Sequence, residues 1–449
     1  MPLPEYGTTA VRPAPAVDLS PPVTPNLPRR PELATARSVG QNTLETILFR
    51  GITTPTALLF VVVQSRLLEP VGRGEFVVVV LGATIVSRLL GQLGVAVTSH
   101  RRHSELDLAA LTRRSLWLGV CLALVGAAAM TAITAGSGQV GVKLAAIGAA
   151  GIVPNVLWQT VSGVLLGQGR IRLWNVIQLF QPLLSLVALV VLVAAFDTGV
   201  TGALVGWALA HVVAAVFALA AIRDLWWPPS APRLLDGASR AIVRLAVVMG
   251  AVQVVNLISY RAELFILGQE DGNAAVGVYS IALQAVESMW LVPAAIATAV
   301  TAPAVEASDD AEAAALVLRS SLRALWLAAL VAAAVGGLGP FLIPAVFGEE
   351  FDGAVRPLEL LLPGVVLYAP VTVLVVYLSI RRARPWASLA VSIVAMLVTV
   401  VAALLLIPPY GAAGAAVASS IGYVAGGAVA WGFFVALRGR PGRVVPALT

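Results

Sequence analysis

The chemistry open to this chain centres on seven charged side chains placed inside long apolar stretches: Glu45, Arg50, Arg66, Arg88, Arg261, Glu263 and Glu287. At the centre of a bilayer such a charge costs roughly 2.5–3.5 kcal/mol, so it usually faces a protein interior or a wet cavity. Arg88 is the strongest case. It stands about thirteen residues into its stretch, too deep to snorkel, beside Ser87, Gly91 and Gln92. Arg50 lies in the inner third of one stretch, Arg261 in the outer third of another, and Arg66 near a boundary where its stem can snorkel. Glu287 is close to the middle of its own stretch. A planar guanidinium binds phosphate through paired N–H donors, and an intramembrane carboxylate can answer a cation. Asn155, Gln159, Asn175, Gln178, Gln181, Asn256, Tyr260 and Gln284 can line the same cavity, interhelical hydrogen bonding being the alternative for each. The candidate cavity set is Arg50, Arg88, Gln92, Asn256, Tyr260, Arg261 and Glu287.

Covalent chemistry has little to stand on. There are three histidines, one cysteine and no GxxxxGK[ST] phosphate loop, so neither a metal site nor a cofactor is expected. His100 and His103 flank Arg101 and Arg102 in a polar loop, while His211 lies in an apolar stretch and reads as a hydrogen-bonded interior histidine rather than a proton relay. Cys121 has no partner and is expected to pack in the core. The acids Glu306, Asp309, Asp310 and Glu312, followed by Arg319 and Arg323, suit a solvated turn at a helix start.

The elements that position these residues follow from composition. Of the 449 residues, 59% are hydrophobic and 12% charged, with a mean hydropathy of +0.91; a soluble protein averages about 25% charged. Long runs without alternation fit membrane-spanning helices and not barrel strands. Twelve are expected, over 41–67, 75–98, 114–135, 143–166, 174–196, 201–222, 242–268, 275–303, 320–346, 357–380, 385–407 and 411–437. The fold class is therefore an all-α integral membrane protein.

Basic residues are retained on the cytoplasmic side. With the N-terminus inside, 22 of the 29 lie in cytoplasmic segments, four within spans, and three (Arg73, Lys143 and Arg356) outside or at the outer rim. Both termini are thus expected in the cytoplasm of a multi-pass cell-membrane protein. The net charge of +6 expresses topology and contact with anionic membrane lipid rather than a nucleic-acid partner. Residues 1–38, which hold nine of the 28 prolines, read as an unstructured cytoplasmic tail, and 438–449 as a second one.

The second half echoes the first. Arg170, Arg172 and Trp174 recur 212 positions on as Arg382, Arg384 and Trp386, and Gly74 and Phe76 recur 203 positions on as Gly277 and Tyr279. The expectation is a six-helix lobe over 39–222, a linker over 223–240 and a second lobe over 241–437, related by a pseudo-two-fold axis along the membrane normal. Trp226 and Trp227 in the linker suit an interfacial anchor. The repeated Arg-x-Arg-x-Trp falls in cytoplasmic loops and serves orientation. The repeat also sets span eight opposite span two, so Arg88 and Glu287 are expected to face one another, as a structural ion pair or as a binding and coupling site. Asn256, Tyr260 and Glu263 share one face by their helical spacing.

Four segments carry a resemblance: SRLLEPVGRGEF (Ser65–Phe76), YRAELFILGQ followed by AAVGVYSIA (Tyr260–Ala282), VFGEEFDGA (Val346–Ala354) and LLLIPPYGAAGAAVAS (Leu404–Ser419). In this order, over about residues 40–437, the chain resembles the Wzx-type polysaccharide exporters. These are the oligosaccharide flippase branch of the superfamily that also holds multidrug/toxin extruders and lipid II flippases. The usual Gly-Pro after the first span is here Glu69-Pro70. The resemblance implies a V-shaped pair of six-helix lobes around a cavity that opens alternately to each side. It also implies a cationic cavity for the pyrophosphate-linked sugar headgroup of a polyprenyl lipid, a role that falls on Arg50, Arg88 and Arg261.

The expected function is translocation of a lipid-linked oligosaccharide from the inner to the outer leaflet for surface polysaccharide assembly, alongside a polymerase and export machinery. A multidrug or metabolite exporter of the same fold is the alternative, with coupling on the acids Glu45, Glu263 and Glu287. A membrane polymerase or glycosyltransferase comes third, because external loops are too short to carry a catalytic domain.

Overall fold

The computed structural model describes residues 39–101, 106–227, 234 and 236–438. The expected tails, His103 and part of the linker lie outside the described residues. From Glu45 onward the described chain forms one compact unit; the described residues before it, Val39–Leu44, are helical.

The described residues are helices and turns, with no strand among them. The first half contains α1 (Val39–Leu90), α2 (Leu93–His100), α3 (Leu108–Gly136), α4 (Val142–Ala150), α5 (Ile152–Gly167), α6 (Ile171–Leu189) and α7 (Gly199–Ala221), then the short connector α8 (Arg223–Trp226). The second contains α9 (Gly237–Ser259), α10 (Ala262–Glu270), α11 (Gly272–Met289), α12 (Leu291–Glu306), α13 (Asp310–Phe347), α14 (Val355–Val375) and α15 (Pro385–Arg438). Among the described residues, ten stretches are long and apolar enough to cross a membrane. Two of them, Gly51–His100 and Pro385–Arg438, are double runs that bend sharply inside a continuous helix, the first at Glu69 and the second at Gly411. A straight helix of 54 residues would reach about 80 Å against a hydrocarbon core of about 30 Å, so each double run crosses twice. Twelve crossings result.

The sequence predicts loops where these runs turn, yet helix continues on both sides of Glu69 and of Gly411. Glu69 precedes Pro70, and the proline ring bars the preceding residue from the α region while serving well as a first helical residue. Glu69 has the extended ψ of 176° that a following proline asks for, but its φ of 55° puts it in a region that only glycine occupies without strain. The Glu69-Pro70 departure therefore bears on backbone conformation. Glu69→Gly is expected to stabilise the protein by about 1 kcal/mol, seen as a higher unfolding temperature in detergent; an unchanged or lower temperature would remove the strain from the account. Gly411, at φ 54°, holds the bend of the other double run with the residue type suited to it.

The repeat becomes a contact. A Cβ on Gly74 would lie well inside contact distance of the Asn273 carbonyl oxygen, and one on Gly277 well inside that of the Pro70 carbonyl. Residues 70 and 273 stand at the same 203-residue spacing as 74 and 277, so the crossing is self-complementary about a two-fold, and small residues let the backbones touch. Around it the apolar core runs continuously through both halves, from Leu68 to Leu437.

Polar contacts tie the two ends of the bundle. At the end carrying the kinks, Arg66 donates to the last carbonyls of α13, Val346 at 2.9 Å and Ala345 at 2.5 Å, a cation at a helix C-terminus. Gln269, at the repeat position of Arg66, donates to Ser137 O at the end of α3 at 3.2 Å. At the opposite end Asp236 caps α9 by accepting from Ser239 N at 2.8 Å and pairs with Arg114 at 2.7 Å. The backbone N–H of Ser239, then its side chain, then Arg114 hold the Asp236 carboxyl down at about 2. The contact is complete above the ordinary carboxylate range and is lost only as pH falls toward that value.

Three expectations are corrected here. Cys121 is exposed, because an apolar face of a membrane helix is satisfied by lipid as well as by core. The turn before α13 is not merely solvated: Asp310 pairs with Arg381 at 2.9 Å and with Arg382 at 2.5 Å. Arg381 also donates to the carbonyls of Val305 at 2.9 Å and Ala307 at 3.1 Å. Arg382 of the repeated motif is thus a largely buried structural residue. Finally Arg73 is 3% exposed and belongs to the interior. His211 meets its expectation, with Nδ1 2.9 Å from Trp207 O and both Trp158 and Trp207 against its ring.

Candidate functional site

Span seven is broken at Tyr260–Arg261, whose backbones (φ −113°, ψ −3° and φ −141°, ψ −1°) close α9 before α10 begins. Half-helices that end inside a membrane protein free backbone groups and redirect side chains toward a cavity. Here the break aims Arg261 at α11. Its Nη2 lies 2.6 Å from Glu287 Oε1 and 2.7 Å from Oε2. The partner of Glu287 is therefore Arg261 and not Arg88. Arg88 stands within electrostatic reach of both charges and forms no ion pair among the described residues, and it is exposed.

Glu287 lines a cleft of about 420 Å³ whose walls come from both halves: Thr53, Thr54, Gln178 and Gln181 on one side, Gln284, Glu287 and Ser288 on the other. Three carboxamides and three hydroxyls there offer donors and acceptors together. Gln178, Gln181 and Gln284 share a cavity, as their place in the sequence suggests. Gln92 lies at the break between α1 and α2, one turn from Arg88. Glu45 is placed apart, 3.4 Å from Arg172, eight residues before Thr53 or about 12 Å of helix. Arg50 lies in α1, and its side chain is outside the described residues.

The helix break also separates Glu263 from Asn256 and Tyr260, so the shared face expected from spacing does not persist. Asn256 and Tyr260 line a second cavity, of about 750 Å³, with Trp290, Tyr368, Thr372 and Ser392. Four rings meet at its inner end: Trp290 lies 5.3 Å from Tyr260, 5.4 Å from Tyr368 and 6.0 Å from Tyr423 between centroids. Glu263 is instead fully buried in α10. Its Oε1 accepts from Tyr279 OH at 3.4 Å, its Oε2 has no hydrogen-bond partner, and no cation pairs with it among the described residues.

Arg73 is buried within electrostatic reach of Arg261, although its residue type and position in the sequence suggest an outer rim. Its guanidinium donates to Ser280 Oγ and Gln64 Oε1, both at 2.8 Å, to Ser65 Oγ at 3.1 Å and to Val61 O at 3.4 Å. All are neutral acceptors, and Ser280 belongs to the other half. Arg261 is close enough to repel it. The signal in the sequence is its place inside the repeated VGRGEF segment, one residue from the crossing glycine.

The fold recurs in solved structures. An inward-facing multidrug resistance MATE family transporter of the MOP superfamily is 20% identical, with 88% of this chain and 98% of that one covered at a TM-score of 0.70. The lipid II flippase MurJ, in an inward closed conformation, is 12% identical with 87% of each chain covered and a TM-score of 0.73. A MOP superfamily transporter from Pyrococcus furiosus Vc1 (DSM3638) is 18% identical, covering 89% of this chain and 95% of that one at a TM-score of 0.62. At such identities the likeness is one of fold. No curated protein matches at a significant level. Residues 39–308 match the family described as Polysaccharide biosynthesis protein, more than half of the chain, and the protein belongs to that family.

Proposed function

We propose that this multi-pass membrane protein is a flippase that carries a polyprenyl pyrophosphate-linked oligosaccharide from the cytoplasmic to the outer leaflet of the cell membrane, with both termini in the cytoplasm. The observation that carries the reading is the cleft shared by the two halves. Its polar wall of glutamines and hydroxyls suits sugar hydroxyls, which need donors and acceptors at once. At its edge the Arg261–Glu287 pair and Arg88 leave one positive charge in excess, a receptor for phosphate. Arg261 would exchange Glu287 for the substrate, so the pair breaks when cargo is held and reforms when it leaves. Glu263, with one oxygen open, is the first candidate for the coupling cation, and Glu287 the second. The lipid tail needs no binding site, since the bilayer solvates it.

Family membership supports the substrate class, and a fold shared with a lipid II flippase and with multidrug transporters supports transport by the two halves moving against each other. The test follows the sidedness of lipid-linked oligosaccharide in cells lacking the protein. The glycan is expected to remain on the cytoplasmic leaflet, and wild type to restore its delivery. Normal delivery in the knockout, with no second exporter present, overturns the reading.

A further inference from the structure

We infer that the 750 Å³ cavity of the second half is a carbohydrate-stacking subsite for the sugars distal to the phosphate, an inference that rests on the lipid-linked oligosaccharide reading above. A pyranose ring presents a face of C–H groups and a rim of hydroxyls. It therefore asks for an aromatic plane on one side and small hydrogen-bonding groups on another. The cavity supplies both. Tyr260, Trp290 and Tyr368 form one wall, while Asn256, Thr372 and Ser392 offer amide and hydroxyl groups. A π-face is electron-rich and attracts the polarised C–H edge, and hydroxyls both donate and accept.

The rings are held in advance. Tyr423, 3% exposed, packs behind them at 5.5 Å from Tyr368 and 6.0 Å from Tyr260, so little rotamer freedom is lost on binding. The volume lies in the range of pockets that bury drug-sized ligands, roughly 300–1,000 Å³, enough for more than one sugar. Position matters as much as chemistry. Tyr260 directly precedes Arg261, and Trp290 lies one helical turn beyond Glu287, so the stacking wall begins where the phosphate receptor ends. Trp386, 53% exposed, lines the far part of the same cavity. The tryptophan of the repeated motif thereby acquires a use that topology alone did not give it.

The test uses the full-length protein in proteoliposomes and two probes: polyprenyl-pyrophosphate glycans from the native host, whole or trimmed enzymatically to the first sugar. Trp290→Ala and Trp386→Ala are compared with wild type; Trp386 is exposed, so its variant guards against misfolding. Each is expected to slow the whole glycan by about tenfold or more, as loss of a stacking anchor does, while the trimmed carrier stays within about twofold. Equal loss of both probes, or loss of neither, overturns the subsite while leaving the flippase reading intact. Wild type that moves neither probe defeats the lipid-linked reading and this inference with it.

Discussion

Arg261→Ala is expected to slow translocation about a hundredfold, the equivalent of roughly 2.5–3.5 kcal/mol for an intramembrane charge left without its partner. The side chain does two things at once. It offers the guanidinium that would receive phosphate, and it neutralises Glu287 from 2.6 Å when cargo is absent. Two companions separate these roles. Glu287→Gln leaves the guanidinium free, so substrate is held but not exchanged, and single-turnover binding should survive while turnover falls. The double change Arg261→Ala with Glu287→Gln removes both charges. It should recover thermal stability without recovering transport, the pattern a double-mutant cycle isolates. Sidedness assays and unfolding in detergent measure the two quantities separately. Wild-type flipping by Arg261→Ala would remove the headgroup role from this residue and shift attention to Arg88.

Gly74→Leu is expected to abolish folded protein, and Gly74→Ala to destabilise it by about 1–3 kcal/mol or more, the range for overpacking a closed interface. No side-chain rearrangement relieves the clash, because the atoms opposite belong to the backbone of Asn273. Gly277 faces the Pro70 backbone in the same way, so Gly277→Ala should match Gly74→Ala in size. Gly51 is the control, exposed and with no atom within 4 Å of where an alanine methyl would stand; Gly51→Ala should fold as wild type does. Unfolding temperatures of the three alanine variants in one detergent decide the matter. Equal values for Gly51 and Gly74 would show that the helices do not cross where their glycines meet.

Much of the architecture is legible in the sequence because hydropathy and repeat spacing are properties of the chain alone. The twelve crossings, the interior His211, and the pairing of Gly74 with Gly277 all follow from those two signals. Partner choice is less accessible. The break at Tyr260–Arg261 contains neither proline nor glycine, so nothing local announces that Arg261 turns toward Glu287 or that Glu263 leaves the face of Asn256. Arg73 reads as a rim residue for a related reason: the end of an apolar stretch resembles the end of a helix. In fact Pro70 restarts the helix at once and draws Arg73 inside, where Gln64 and Ser65 satisfy it. Cys121 shows the opposite error, since lipid and core select the same apolar residues.

The self-complementary crossing of Gly74 and Gly277 has a consequence for the order in which cargo is handled. A frame with two-fold symmetry offers a ligand two poses that differ by a half turn. The charges remove that equivalence. At the 203-residue spacing Arg261 answers to Leu58, Glu287 to Thr84, Arg73 to Val276 and Arg88 to Leu291, so each of these ionised groups has a neutral counterpart across the axis. One scaffold, copied, thus carries a single uncopied polarity. A molecule with an anionic end and a neutral end can seat itself one way round only, and head and tail keep their places through every cycle.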